Sequence, residues 1–180
     1  MSGHSHAKKV KHQKEATAAQ RSKLFSKLGN ELSIAAKEGG ANPATNPRLR
    51  TAMDRAKEAN MPSENVGRAI ARGAGLETGQ QLEELLLEAF GPHNVALLIT
   101  AITDNRNRTL GEIRRILQER GGKLVGEGNV RWMFQRQGAD WVPKPEFVVK
   151  EDESVAKPLQ ELTGALDEND AVQEIYSTLS

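Results

Sequence analysis

The sequence predicts an α+β protein, with three short helices first and a mixed helix–strand domain after them. Three observations carry this reading. Up to Gly73 the apolar residues recur at the helical period, and the runs are opened by proline or closed by glycine. Beyond the Gly-rich stretch GAGLETGQ the pattern changes to short runs of branched and aromatic residues, the mark of strands. At 180 residues, with 37% apolar and 27% charged, the chain can bury one ordinary core or two small ones under a solvated surface.

Taken in order, the elements have local causes. Between Glu15 and Lys37, Leu24, Phe25, Leu28, Leu32 and Ala35 share one helical face, while Lys23, Lys27 and Lys37 take the opposite one. Gly39-Gly40 stops that helix, because glycine adopts the left-handed conformation without steric cost. In NPRLRTAMDRAKEAN, Asn46 is the N-cap, Pro47 fills the first helical position, and Leu49, Met53 and Ala56 form the buried stripe. Pro62 opens a third helix that turns Val66 and Ile70 inward and stops at Gly73. EELLLEAF and NVALLITAITD read as a hairpin turning at GPHN. Thr109 and Glu112 form a capping box for a helix that buries Leu110, Ile113, Ile116 and Leu117 and stops at Gly121-Gly122.

NVRWMFQRQ then reads as a strand with Val130, Trp132 and Phe134 alternating against Arg131 and Gln135, and EFVVK as a short strand. SVAKPLQELTGALDE is a helix that starts late or kinks at Pro158, and AVQEIYS is the last strand. With the first hairpin strand set aside as an extra, the order is βαββαβ. That is the ferredoxin-like arrangement, with both helices on one face of an antiparallel sheet. The expected domains are a basic all-α domain with an N-terminal arm over residues 1–75 and an acidic α+β domain over residues 78–180.

The formal net charge of +1 conceals a strong asymmetry. Residues 1–72 carry eight Lys and six Arg against six acids, a net of +8; residues 73–140 come to −1 and residues 141–180 to −6. A basic front implies a polyanionic partner, whereas the acidic domain offers a protein partner a different surface. Lys8, Lys9, Lys11, His12 and Lys14 form a basic arm suited to backbone phosphate, where charge matters more than geometry; the competing reading is a solubilising tail. Lys23 and Lys27 continue that charge along the first helix. Arg48, Arg50, Arg55, Arg68 and Arg72 lie on the outward faces of the helical domain, and arginine can hold phosphate bidentately. No aromatic residue occurs among the first 24, so phosphate contact is expected there rather than base stacking.

DNRNRT, at a strand end before a helix, carries two open readings. Free amides at a helix N-terminus, with Arg106 and Arg108, make an anion site. Alternatively, Asp104 and the asparagines satisfy backbone groups in a tight connection while the arginines pair with Glu88 or Glu127.

Several classes are excluded or left without support. The longest apolar run, Val95 to Ile99, is far short of a membrane span, and the polar start lacks a secretory signal, so a cytoplasmic protein is expected. With no cysteine there is no disulfide or thiolate metal site. His4, His6 and His12 could hold Cu(II) or Ni(II) without any fold, which is no sign of purpose, and no metal site is assigned. No Ser/His/Asp order, P-loop or HExxH motif is present, so neither an enzyme nor a cofactor is expected.

GHS at Gly3 to Ser5, KH at Lys11-His12, NPRLR at Asn46 to Arg50, NMP at Asn60 to Pro62, RAIARGAG at Arg68 to Gly75, DNRNRT at Asp104 to Thr109 and VQEIY at Val172 to Tyr176 resemble the YebC/PmpR family in its own order. The resemblance implies an all-α N-terminal domain followed by α+β domains, and a cytoplasmic DNA-binding transcriptional regulator. It also implies an alternative, since a mitochondrial branch activates translation of cytochrome oxidase subunit I and some bacterial members act on the ribosome at proline-rich stalls. On that alternative the partner is ribosomal RNA. The chain departs from the family pattern in having His6-Ala7 where Lys-Trp is usual, and Gln13 where arginine is usual. It is also short: the family's insertion domain is expected to be absent, with only GADWVPKP in its place.

Overall fold

The computed structural model describes residues 17–76 and 81–179. They divide into two compact units, one formed by residues 17–76 and 81–84 with Ile102–Asn105, the other by Leu85–Ala101 and residues 106–179.

The first unit is built from α1 (Ala18–Gly39), α2 (Pro47–Glu58) and α3 (Ser63–Gly73). Thr17 caps α1 through a reciprocal box with Gln20, and Gly40, at φ 89°, ends it. The next cap does more than start a helix. Asn46 is buried, accepts from the Leu49 N–H at 3.1 Å, and donates to the carbonyls of Ala35 and Gly40, both at 2.8 Å, so one amide closes α1 and opens α2. Leu32, Ala35, Leu49, Ala52, Ala56 and Ala69 make the core, as the helical stripes predict. Helices α1 and α3 cross closely at small residues. Ser33 Oγ donates to the Ala69 carbonyl at 2.7 Å, and a Cβ on Gly73 would overlap the Ser33 carbonyl.

The second unit contains most of β1 (Glu83–Phe90) and β2 (Ala96–Thr103), with α4 (Arg106–Glu119), β3 (Lys123–Val125), β4 (Phe134–Gln137), β5 (Asp140–Pro143), α5 (Glu153–Asp167) and β6 (Val172–Ser177). The main sheet has the order β3-β1-β2-β6, with β3 antiparallel to β1 and β6 antiparallel to β2. Helices α4 and α5 supply Ile113, Leu117, Leu159, Leu162 and Leu166 to one face, against Leu85, Leu87, Leu97 and Ile99. The opposite face, with Leu86, Ala96 and Leu98, is covered by Val130, Phe134 and Trp141.

The α+β class, the three-helix start and the placement of both helices on one face are as the sequence predicts. The strands that make the sheet differ. The hairpin strand set aside as an extra, β1, is central, because EELLLEAF buries Leu85, Leu87, Glu88 and Ala89. NVRWMFQRQ is not a sheet strand: Arg131–Met133 form a 3₁₀ turn and only Phe134–Gln137 extend, pairing with β5 in a separate two-stranded sheet. EFVVK is a 3₁₀ turn at Pro145–Phe147 followed by a single bridge from Val149 to Leu179. GADWVPKP, where the insertion was expected to have been lost, provides β5. The three-residue β3 went unread because glycines flank it on both sides. Helix α4 begins at Arg106, so Thr109 is a buried residue of its first turn rather than an N-cap. Asp152 caps α5 at Ser154, so the helix starts before Pro158 and runs through it.

The loop before β4 hangs on one buried carboxylate. Glu88 is 3% exposed and accepts from three backbone N–H groups: Gly128 at 2.7 Å, Val130 at 2.5 Å and Arg131 at 2.8 Å. Burial alone would raise its pKa, but these donors and the Arg131 charge outweigh it and hold the carboxyl below its ordinary value. Glu88 is therefore a backbone anchor, which removes one of the two partners, Glu88 or Glu127, that one reading of DNRNRT offers Arg106 and Arg108.

Two outcomes are expected. Gly73→Ala should destabilise the protein by about 3 kcal/mol in urea unfolding, because backbone rather than a pliable side chain occupies the space. Glu88→Gln should cost about 2 kcal/mol at pH 7, followed by fluorescence of Trp132 and Trp141. Because the folded pKa is depressed, Glu88's contribution is complete above its unfolded value, near 4.3, and lost as pH falls through the folded one. The gap between wild type and variant should close in acid, and a gap that persists there would mean the charge is not what matters.

Candidate nucleic-acid interface

The helical unit carries the predicted cations in unequal circumstances. Lys8, Lys9, Lys11, His12 and Lys14 lie outside the described residues. Lys23 and Lys27 sit half-buried on α1. Arg48 is surrounded by carboxylates: it pairs with Glu38 at 2.6 Å, Glu84 at 2.9 Å and Glu31 at 3.0 Å. Burial lowers its pKa, yet the surrounding glutamates raise it further, so the guanidinium is held above its ordinary value. An arginine so enclosed presents little field to a phosphate. Arg50 donates to the carbonyls of Pro43 at 2.7 Å and Ala44 at 3.1 Å, bracing the α1–α2 loop.

Arg72 is also engaged within the fold. Its Nε and Nη2 donate to Ser33 Oγ at 3.1 and 3.0 Å, and Nη2 reaches Asn30 Oδ1 at 3.1 Å. The guanidinium thus fastens α3 across α1 at their closest approach. Arg55 and Arg68 are different. Arg55 is exposed on α2, two turns beyond Arg48 on the same side of the helix. Arg68 is exposed on α3, where it donates to Asn65 Oδ1 at 2.9 Å and lies 3.9 Å from a solvent-exposed Glu64, a separation at which an exposed pair attracts weakly.

An open groove runs between the first half of α1 and the α2–α3 turn, lined by polar Arg21, Ser22, Ser26, Asn60 and Asn65 over Phe25 and Met61. Asn60 adopts φ 58°, which turns the chain sharply from α2 toward α3 and places its amide at the groove. The charge pattern of the sequence does not single out Arg21, because that pattern marks the face opposite the apolar stripe, whereas Arg21 flanks the stripe near the Thr17 cap. Its proximity to Asn60 and Asn65, far along the chain, is a product of folding alone.

Arg106 and Arg108 lie exposed at the start of α4 in the other unit. Before them, Thr103 Oγ1 accepts from the Asn105 N–H at 3.0 Å and donates to its carbonyl at 3.2 Å, a tight strand-to-helix connection. The recess beside Arg108 is lined by Glu112, Glu168 and Asp170, so carboxylates outnumber guanidinium there. Arg108 itself lies 3.9 Å from Glu112. Such a lining repels phosphate.

The TACO1/YebC protein N-terminal domain matches residues 5–76, and the TACO1/YebC second and third domain matches residues 82–153. The chain belongs to the TACO1/YebC family. Two relatives, each named a probable transcriptional regulatory protein, come from Dictyoglomus thermophilum, 48% identical over 180 residues, and Aquifex aeolicus, 45% identical over 177 residues. Each alignment covers 98% of this chain but 71% and 70% of the relative, so this TACO1/YebC chain spans about seven tenths of the length of those relatives. The crystal structure of a conserved hypothetical protein from Aquifex aeolicus superposes with a TM-score of 0.85 at 33% identity, over 95% of each chain. Among the described residues no helix is long and apolar enough to cross a membrane, and no three His, Asp or Glu groups gather to hold a metal.

The unequal roles of the arginines have a measurable consequence. Arg72→Gln should lower stability by about 2 kcal/mol, since the buried Ser33 hydroxyl loses a charged donor that bonds it twice, whereas Arg68→Gln should stay within about 0.5 kcal/mol of wild type in the same unfolding experiment.

Proposed function

We propose that the protein is a DNA-binding transcriptional regulator whose basic arm and helical unit hold duplex DNA through its phosphates. One observation carries this reading: exposed Arg21 and Arg68 stand at and beside a polar groove along the first half of α1, the end from which the basic arm KKVKHQK leads back. Phosphate is the group that such a surface attracts, because guanidinium, lysine and hydroxyl donors all accept it without demanding a fixed geometry. The names of the relatives, probable transcriptional regulatory proteins, support the same reading. Arg55, Lys23 and Lys27 extend the positive surface, while Arg48, Arg50 and Arg72 serve the fold that presents it. The acidic second unit offers a face for a protein partner.

The test is a competition at physiological salt between genomic duplex DNA and ribosomes, read by co-sedimentation. Retention on DNA is expected, with affinity falling steeply as salt rises and with Lys8, Lys9, Lys11 and Lys14 together changed to Gln weakening binding by tenfold or more. Travel with ribosomes in the presence of excess DNA would overturn the reading in favour of a ribosomal RNA partner.

A further inference from the structure

The chain has only seven aromatic residues among 180, yet Trp132, Phe134, Trp141 and Phe147 fall within one short segment of the second unit. The same segment reverses the local charge. Residues 131–144 hold Arg131, Arg136 and Lys144 against Asp140 alone, in a domain that is otherwise acidic. Arg136 and Trp141 are cross-strand partners in the β4–β5 hairpin, and the Arg136 guanidinium lies 5.0 Å from the Trp141 ring centre. Arg131 lies 5.3 Å from the same ring. Arg136 Nη1 also donates to the Ala139 carbonyl at 3.2 Å, and among the described residues neither guanidinium forms a salt bridge with a carboxylate. Glu88 feels the Arg131 charge, but its oxygens are taken by backbone N–H groups.

Trp132 is the second unusual feature. Its side of the 3₁₀ turn leaves it 51% exposed, although it and Trp141 are the two largest side chains in the unit. It is not loose. The indole N–H donates to the Asn129 carbonyl at 3.0 Å, and the ring meets Phe147 edge-on at 4.7 Å and 84°. An indole fixed in place with much of its surface in water, in the same 3₁₀ turn as the exposed Arg131 and just before the strand that carries the exposed Arg136, supplies the parts of a stacking platform: a π surface for a base and cations for the phosphates that flank it.

We propose that Trp132, Arg131 and Arg136 form a second nucleic-acid contact that stacks an unpaired base. Bases of a duplex are already stacked and cannot present a face to the indole, so the ligand class is a single strand or an opened loop. An acidic peptide would match the guanidiniums but would leave the exposed indole unused. This inference uses residues of the second unit only and stands apart from the duplex reading above.

The experiment uses the full chain and an oligothymidylate of about 12 nucleotides, within the usual span of such sites. In a Trp141→Phe background Trp132 is the sole indole, and the oligonucleotide should quench its fluorescence. Trp132→Ala should weaken binding by about tenfold or more, Trp132→Phe should retain most of it, and Arg131→Gln with Arg136→Gln should flatten the salt dependence by about one unit. Absence of quenching, or equal affinity in a natively folded Trp132→Ala protein, would overturn the proposal. So would a Trp132→Ala protein that loses self-association in sedimentation while binding the oligonucleotide unchanged, since the patch would then be a protein contact. Arg21→Gln with Arg68→Gln should reduce duplex affinity and leave the ratio between Trp132 and its Ala variant intact, which keeps failure of the duplex reading separate from failure of this one.

Discussion

No side chain can stand at position 73, and much of the helical unit follows from that. With the Ser33 carbonyl against Gly73 and Ser33 Oγ bonded to Ala69, α3 lies as near to α1 as two helices with small residues allow. Gly29 continues the same line, with Met61 and Ala69 at ordinary contact distance from where its Cβ would be. The close crossing is what brings the α2–α3 turn, with Asn60, Met61 and Asn65, beside the first half of α1 and so forms the groove. A larger residue anywhere on this line would push α3 outward and open the groove before any charge was touched.

Charge counting and charge availability diverge in this protein. Fourteen basic residues against six acids in the first 72 describe a polyanion-binding segment, but three of its arginines are structural. Arg48 closes a ring of three glutamates, Arg50 braces a loop through carbonyls, and Arg72 fastens two helices through a serine hydroxyl. At Arg72 the cost of burial is met inside the fold, because the buried Ser33 hydroxyl gains a charged donor. The sequence cannot show this, because the partners of Arg72 lie about 40 residues away. Arg21, which a count by helical face passes over, is by contrast brought to the groove.

How much of the fold was legible follows the same division between local and distant causes. Asn46 with Pro47, Pro62, Gly40 and the glycine stops act within a turn of themselves, and the three helices were read with boundaries within a few residues. β2 and β6 declare themselves by branched residues in runs. β3, three residues between glycines, does not, and its place at the sheet edge depends on pairing with Phe90, Ala89 and Glu88 across the unit. Trp132 misled for a related reason: alternation of Val130, Trp132 and Phe134 imitates a strand, while Glu88, more than 40 residues earlier, bonds the backbone at 128–131 and curls that chain into a turn. The resemblance to the family was legible because its motifs are contiguous, and the groove was not because its lining is not.

The brevity of β3 also bears on what the sheet can do to its neighbours. An outer strand of three residues, opened by a lysine and bounded by glycines, gives an incoming chain only one or two rungs of backbone hydrogen bonding before the edge ends. At the far edge, the Val149 N–H donates to the Thr178 carbonyl and Val149 bridges to Leu179, so the chain itself crosses the end of β6. Sheet extension therefore has a poor template at the β3 edge and meets a crossing segment at the end of β6, so copies of this chain brought to high local concentration gain little from backbone pairing there.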